Sequence, residues 1–378
     1  MAGIYVHIPF CRQACTYCDF HFSTVLRNKG AMSEAIAREV ALRQGFFPKD
    51  QVLDSLYFGG GTPSVLSEGE LGSIFEAVHR HFTLKPGAEV TLEANPEDVT
   101  DANVKVWLDL GVNRLSLGVQ SFFDEDLQWM NRRHGQLEAA MAVRTAQELG
   151  LRNLSVDLIF GLPGSSMGNW EANLIGATVL QVPHLSVYSL TVSERTALAH
   201  QVKTEQVTLP ADEAYGEQFR TAHERLTALG YEHYELSSYA QPGQRAVHNS
   251  SYWAGEPYLG LGPSAHGYDG QQRYWNHAHN HRYQQAIGAG ERPEADRETL
   301  SPQDRYHEYL ITHLRHSRGI DPAHIEQALQ PGWQVRFQPL LTQLQQRGLL
   351  TQRQGRYVLS LEGWMISDQV IGEFFVGD

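Results

Sequence analysis

The chain has 378 residues, and 30 basic against 43 acidic side chains give it a formal net charge of −13. Hydrophobic residues make up 42% of the chain, which is enough for a sizeable core and argues against global disorder. The acidic balance argues against a nucleic-acid-binding protein, because such a protein needs a basic surface to neutralise phosphates. No apolar run approaches the roughly 20 residues of a membrane-spanning helix, so we expect no stable membrane insertion.

The cysteines and the N-terminal segment indicate the cellular compartment in which the protein is expected. Cys11, Cys15 and Cys18 are the only cysteines, and three of them in one short stretch cannot form a complete disulfide framework. The N-terminal segment MAGIYVHIPF lacks the charged, apolar and cleavage regions of a signal peptide. We therefore expect a cytoplasmic protein.

Residues 1–190 repeat one unit, a short β-rich run followed by a helical stretch. Helices are predicted over 33–44 and 139–149, and Ser67 with Glu70 has the signature of a capping box that opens another. The alternation predicts a parallel α/β sheet, either an incomplete (β/α)6 barrel or a doubly wound sheet. In such a barrel, functional residues lie at the carboxyl ends of the strands. The predicted strands cover residues 3–9, 55–61, 89–95, 114–120, 153–163 and 184–190.

The second half of the chain changes character. Residues 191–297 are richer in turns, and the strand-like segment 231–240 predicts an α+β extension. The segment 292–299 is the predicted linker to a third region. Residues 298–378 contain predicted helices and a hairpin over 349–360, which indicates a mainly helical, winged-helix-like C-terminal domain. Such domains often bind DNA, but the acidic chain argues against DNA binding here.

The three cysteines follow the first predicted strand in a C-x3-C-x2-C pattern. Thiolates are soft ligands that suit iron–sulfur clusters or zinc. Three thiolates on a [4Fe–4S] cluster leave one iron open, whereas a structural zinc ion usually needs a fourth protein ligand, for which His21 is the candidate. The pattern favours the cluster, and a zinc-stabilised regulatory protein is the alternative.

These motifs resemble the radical S-adenosylmethionine (SAM) superfamily. The resemblance rests on the cysteine pattern with the aromatic Tyr17 before Cys18, and on the turn Gly59-Gly60-Gly61-Thr62-Pro63. The segments YVHIPFC, YFGGGTPS, LEANP, LSLGVQSF, VDLIFGLPG, HNSSYW and GLGPSAHG extend it from residue 3 towards the C-terminus. Within the superfamily the chain resembles the group that contains oxygen-independent coproporphyrinogen oxidase and the HemW haem chaperones.

The resemblance implies a site in which the open iron is chelated by the amino and carboxylate groups of SAM. Reduction of the cluster would cleave SAM and yield a 5′-deoxyadenosyl radical. Tyr5 is expected beside the cluster and Tyr17 near the adenine. The backbone of the glycine turn is expected to approach the methionine amine closely, through Gly60, Gly61 and Thr62. Four polar side chains are expected to bind the amine, ribose and carboxylate between them, and all but Arg132 are assigned to strand ends: Glu93, Gln120, Arg132 and Asp157.

Phe20 separates the two branches of this group. The oxidase pattern has a further cysteine where this chain has Phe20, and only ten residues precede Cys11. Both features favour the HemW-like branch, whose members bind haem and pass it to acceptor proteins, with an electron donor serving the cluster. We expect no coproporphyrinogen oxidase activity. The alternative is a radical SAM oxidase or decarboxylase that acts on coproporphyrinogen III or another tetrapyrrole.

The segment HNSSYW suggests where haem binds, because the resemblance associates it with haem. Histidine and tyrosine both serve as axial ligands of haem iron. We expect His248 as the ligand, with Tyr252 and Trp253 as the wall of the pocket. His266 is a second candidate. A third histidine group, His277 with His279 and His281, is expected to be solvated and incidental.

Overall fold

A computed structural model describes residues 1–377. Its centre is formed by six parallel strands that pair in chain order, from β1 to β6. This order confirms the incomplete barrel and is inconsistent with the doubly wound alternative, in which the strand order reverses. The strands are β1 (Gly3–Ile8), β2 (Val52–Gly60), β3 (Thr83–Ala94), β4 (Arg114–Gln120), β5 (Leu154–Phe160) and β6 (His184–Ser189).

Amphipathic helices connect these strands and cover the sheet. The predicted capping box is present, since the Ser67 side chain accepts from the Glu70 backbone N–H and the Glu70 carboxylate accepts from the Ser67 N–H. The helix that it opens buries Leu71, Ile74 and Val78, as the helical spacing of these residues predicts. The helices of the barrel are α1 (Lys29–Leu42), α2 (Glu68–His81), α3 (Asp101–Asp109), α4 (Asp124–Trp129), α5 (Gln136–Glu148) and α6 (Met167–Val179).

Six further strands extend both edges of the same sheet. β9 pairs in parallel with β1, and β8 pairs antiparallel with β6, so the barrel formed by residues 1–377 does not close. The added strands are β7 (Glu232–Glu235), β8 (Ser238–Ala240), β9 (Tyr258–Leu261), β10 (His266–Tyr268), β11 (Gln272–Asn276) and β12 (Glu294–Thr299). The helices of this extension are α7 (Ala197–Lys203), α8 (Asp212–Ala228), α9 (Val247–Trp253) and α10 (Asn280–Gly288).

The structure corrects one prediction in this region. The segment 292–299 is not a linker, because its residues Glu294–Thr299 form β12, which pairs antiparallel with β11 at the edge of the sheet. Its four charged side chains hid this strand from pattern analysis, which relies on apolar alternation.

A buried polar cluster joins the extension to the barrel. Arg43, just after α1, pairs with Glu39 at 2.7 Å, and the exposed fractions of the two side chains are 1% and 0%. Arg43 also donates to the Asn276 side chain of β11, and Tyr283 of α10 donates to the Glu39 carboxylate. Because a buried charge is costly unless it is paired and hydrogen-bonded, this cluster fixes β11 and its neighbour β10 against the barrel.

The C-terminal region contains the predicted helices and hairpin. Tyr306 and Trp333 are fully buried there, and the Trp333 indole donates to the Tyr306 hydroxyl at 2.8 Å. No helix within residues 1–377 is long and apolar enough to cross a membrane. The elements are α11 (Pro302–Leu314), α12 (Pro322–His324) with a π-helical turn (Ile325–Leu329), α13 (Trp333–Gln346), β13 (Leu350–Arg353), β14 (Arg356–Leu359), α14 (Leu361–Met365) and α15 (Ser367–Gly372).

Candidate functional site

A cavity of about 570 Å³ opens at the carboxyl ends of the barrel strands. This is where a barrel of this type places its functional residues, and the volume suits a small-molecule ligand. We call it the cysteine cavity. It brings together all the cysteines and every SAM-binding candidate except Tyr5, namely Cys11, Cys15, Cys18, Tyr17, Gly60, Gly61, Thr62, Glu93, Gln120, Arg132 and Asp157.

The three thiols are positioned by the loop after β1 and by two hydrogen bonds from the opposite wall. The Thr62 hydroxyl donates to the Cys11 sulfur, and the Arg132 guanidinium donates to the Cys15 sulfur, both at 3.4 Å. Burial raises the pKa of Cys11 to about 11 and that of Cys18 to about 12. The Cys11 and Cys18 thiols therefore stay protonated at neutral pH until a cationic group compensates the charge of their thiolates.

The thiols fit an iron–sulfur cluster better than a single zinc ion. His21, the candidate fourth zinc ligand, instead bonds the Asn280 side chain through Nε2 at 2.7 Å. Across residues 1–377, no three His, Cys, Asp or Glu side chains converge on one point as a mononuclear site requires. A four-iron cluster is a larger body held by thiolates alone, and Cys11, Cys15 and Cys18 all face one cavity.

The glycine turn is required by close packing against the strand β1. Gly60 has φ +107°, and a Cβ atom there would lie 2.5 Å from the His7 ring. A Cβ atom on Gly61 would lie 2.7 Å from the carbonyl oxygen of Phe10 and 2.8 Å from that of Ile8. The chain before Cys11 therefore already occupies the position of a side chain at Gly61, and the expected approach of this turn to the methionine amine stays a prediction.

Glu93 is held at the centre of the site. The Tyr57 hydroxyl donates to one carboxylate oxygen at 2.7 Å, and the Gly60 N–H donates to the other at 3.2 Å. Burial, with a smaller contribution from the neighbouring Asp157 carboxylate, raises the pKa of Glu93 to about 7, although the Tyr57 hydrogen bond opposes the shift. A carboxylate with such a pKa at the end of a strand is poised to receive a cation.

Gln120 and Asp157 complete the polar wall. Gln120 ends β4 with φ +68° beside a register shift in the pairing with β5. Residues other than glycine that adopt strained backbone angles are commonest at functional sites. Asp157 accepts from the Ser116 hydroxyl at 3.3 Å, and burial raises its pKa.

Arg132 already makes contacts with the protein. Besides Cys15, its guanidinium donates to the Asn95 side chain at 2.8 Å and to the Gly118 carbonyl at 2.6 Å. These bonds fix its plane beside the cysteine loop. If Arg132 binds the carboxylate of SAM, as expected, it has to use the guanidinium N–H groups that these bonds leave free.

Tyr5 does not line the cysteine cavity, and its expected position beside the cluster stays a prediction. Its hydroxyl lies 3.1 Å from His7 Nδ1, and its ring lines a second cavity rather than the cysteine cavity. Sequence reasoning missed Asn95 and Tyr188, which line the cysteine cavity. Both lie at the ends of predicted strands, so the strand-end argument that selected Glu93 would have found them as well.

The second cavity, of about 760 Å³, lies beside the first. Asp19 and Phe20, which follow the last cysteine, line both. We call it the tyrosine–histidine cavity, because its aromatic lining is dominated by those side chains: Tyr5, His7, His21, Tyr252, Tyr258, His266, Tyr268, Tyr309 and His313.

The segment HNSSYW forms helix α9 and brings His248 and Tyr252 together. His248 Nε2 lies 2.8 Å from the Tyr252 hydroxyl, and Nδ1 lies 2.8 Å from the Ser55 hydroxyl. The residue is 1% exposed, and its ring stacks on Tyr57. Tyr252 lines the tyrosine–histidine cavity, while Trp253 lies outside it. Both nitrogens of His248 are therefore engaged in this conformation, and its role as a haem ligand stays a prediction.

His277, His279 and His281 form no metal-binding group among residues 1–377. His279 caps the N-terminus of α10 with its ring, and His281 is exposed on the first turn of that helix. His277 precedes the cap in the chain and lies outside any strand.

Comparison with known proteins shows which families the chain is similar to. Residues 5–174 match the radical SAM superfamily, and residues 300–366 match the HemN C-terminal domain. The heme chaperone HemW of Bacillus subtilis (strain 168) is 31% identical over 378 residues, which cover 99% of each chain. The heme chaperone HemW of Escherichia coli (strain K12) is 38% identical over 272 residues, 70% of this chain and 69% of the relative.

A solved structure supports the fold independently. The coproporphyrinogen III oxidase HemN from Escherichia coli superimposes with a TM-score of 0.85, covering 99% of this chain and 89% of the oxidase, at 22% sequence identity. Identity at that level shows a shared fold and carries no conclusion about the reaction. The full-length identity to HemW proteins decides the closer relationship, and the chain belongs to the HemW family of the radical SAM superfamily.

Proposed function

We propose that this protein is a haem chaperone, which binds haem and transfers it to acceptor proteins while carrying a [4Fe–4S] cluster and SAM. The observation that carries the proposal is the pairing of two adjacent cavities. One holds three thiols with the SAM-binding candidates, and the other is large and rich in tyrosine and histidine. The relatives that match over the full chain carry the name heme chaperone.

Different residues of the cysteine cavity would bind the [4Fe–4S] cluster and SAM. Cys11, Cys15 and Cys18 would hold the cluster, which supplies an electron to SAM when reduced. Glu93 would receive the positively charged part of SAM, because its carboxylate is already oriented by Tyr57. Gln120, Arg132 and Asp157 would bind the ribose and carboxylate, and Tyr17 would pack near the adenine.

Phe20 supports a chaperone rather than an oxidase. Where the oxidase pattern places a further cysteine, this chain has a phenylalanine that is 66% exposed and lines both cavities. A benzyl side chain cannot coordinate iron, and it lacks the thiol group that a cysteine would supply. We infer that the protein does not decarboxylate coproporphyrinogen III.

The proposed partners follow from this role. A haem chaperone requires a haem-acceptor protein, and the cluster requires an electron donor. We propose the cytoplasm as the place where both are met, since the free cysteines would need a reducing compartment to stay ligands.

One preparation tests the proposed function. The protein is reconstituted anaerobically with iron and sulfide, titrated with haem, and then reduced and incubated with SAM and coproporphyrinogen III. We expect stoichiometric haem binding, transfer of haem to an apo-haemoprotein, and no porphyrin product above that of a cluster-free control. Clear turnover of coproporphyrinogen without haem transfer would establish the oxidase alternative instead.

A further inference from the structure

We propose that the tyrosine–histidine cavity is the haem site, with His266 as the axial ligand and with Arg273 and Arg305 as partners of the two carboxylate side chains. The inference rests on the proposed function and deepens it by assigning the ligand a place. It differs from the motif-based expectation, because the ligand comes from β10 rather than from His248 in α9.

The cavity has the size and lining that a flat aromatic dicarboxylate requires. Its volume of about 760 Å³ lies within the range of about 300–1,000 Å³ typical of small-molecule sites. Tyr252, Tyr258 and Tyr268 contribute ring surfaces, and aromatic faces stack well on a macrocycle. Helix α11 of the C-terminal region closes one side, so the cavity lies between that region and the edge of the sheet.

Within residues 1–377, His266 is the one histidine of this cavity with no hydrogen-bond partner on either ring nitrogen, and it is exposed on β10. His21 is bonded through Nε2 to the Asn280 side chain, and His313 through Nδ1 to the Tyr309 carbonyl, so each keeps one nitrogen free. His7 is engaged at both nitrogens, by the Tyr5 hydroxyl and by the His21 carbonyl. The His266 ring stacks at 28° on Trp275, its register partner on β11, with 6.0 Å between ring centroids. That stacking fixes the plane of the imidazole, and a fixed neutral imidazole is the usual haem ligand.

Two arginines supply the charge that the carboxylates require. Arg305 lies on α11, and no carboxylate among residues 1–377 lies within 4.0 Å of its guanidinium. Arg273, on β11, pairs with Glu308 at 2.7 Å, and its guanidinium lies 5.8 Å from the centre of the Tyr268 ring. Arg273 Nη1 also lies 4.0 Å from the Glu298 carboxylate, and Arg273 keeps donors beyond these two pairs, because a guanidinium carries five N–H groups. Both arginines line the cavity.

The helical spacing of α11 explains why the cavity is lined in this way. Arg305, Glu308, Tyr309 and Thr312 are three or four residues apart, so they lie on one face of the helix, and all four line the cavity. His248 is shielded from the same cavity by Tyr252, whose hydroxyl it contacts. A ligand in the cavity therefore reaches His266 directly and His248 only after Tyr252 moves.

The test separates the iron ligand from the carboxylate partners. Full-length reconstituted protein and its variants are titrated with haem, followed by the Soret band, and with metal-free protoporphyrin IX, followed by fluorescence. We expect His266→Ala to weaken haem binding about tenfold or more and to shift the Soret band, while metal-free porphyrin binding stays within about twofold. We expect Arg305→Glu to weaken the binding of both compounds about tenfold.

Matched controls come from exposed residues outside the cavity. His281→Ala and Arg282→Glu should leave both titrations unchanged, and the cluster absorption of every variant should match that of the wild type. If wild-type protein binds haem and His266→Ala keeps the same affinity and Soret band, the assignment of the ligand is overturned while the proposed function stands. Loss of haem binding only in His248→Ala would return the ligand to α9. If the wild type binds no haem, the proposed function and this inference both fail.

Discussion

The pKa of Glu93 gives the SAM site a pH dependence that can be measured. With a pKa of about 7, Glu93 is about 9% ionised at pH 6 and about 91% ionised at pH 8. SAM carries positive charge, and only the ionised carboxylate attracts it. The factor by which Glu93 strengthens SAM binding should therefore fall about tenfold as the pH falls from 8 to 6.

The experiment compares SAM binding to wild-type protein and Glu93→Gln at several pH values, by equilibrium dialysis of reconstituted protein. Taking the ratio of the two dissociation constants removes the titration of SAM itself. Glu76→Gln, an exposed change on α2, serves as the control. The groups that face Glu93 and also affect its charge are Asp157 and Arg114. A ratio that stays constant between pH 6 and 8 would refute the reasoning.

Three further predictions follow from the same contacts. Cys15→Ala should abolish the broad iron–sulfur absorption after anaerobic reconstitution, and a variant that retains four irons with an unchanged spectrum would remove this residue from the ligand set. Gly61→Ala should lower the free energy of unfolding by about 1–3 kcal/mol, because its Cβ meets the carbonyl of Phe10, whereas Gly69→Ala, which meets no atom within 4 Å, should not; thermal denaturation decides between them. Tyr57→Phe removes the hydrogen bond that lowers the Glu93 pKa, so the pH at which SAM binding is half-maximal should rise, and a midpoint that stays in place would contradict this assignment.

The barrel could be predicted in advance because its strands are buried on both faces. Such strands are continuous apolar runs, and five of the six were found within about three residues of their observed bounds, whereas β3 begins six residues before its predicted start. The strand-end rule then placed Glu93 and Gln120 in one cavity, and Asp157 lines the same cavity from the middle of β5 rather than from its end. Prediction failed where the local pattern carries no apolar signal, as in the charged strand Glu294–Thr299.

The details of the site depended on contacts between distant segments, which no local pattern records. The environment of His248 is set by Ser55 and Tyr57, nearly two hundred residues earlier in the chain. The reason for Gly61 likewise lies in the carbonyls of β1 and the loop after it. Motifs identify which residues matter, whereas the fold decides which of their atoms remain free.

The charged strand β12 has a consequence for how the protein behaves at high concentration. It pairs with β11 on one side only, and its other side presents unpaired backbone N–H and carbonyl groups at the end of a 12-stranded sheet. An exposed strand of that kind is a template on which another chain can add and begin to aggregate. Glu294, Asp296, Arg297 and Glu298 place charge on both faces of this strand. A second copy approaching in the same way would bring like charges into contact, so this edge resists self-association without a covering helix.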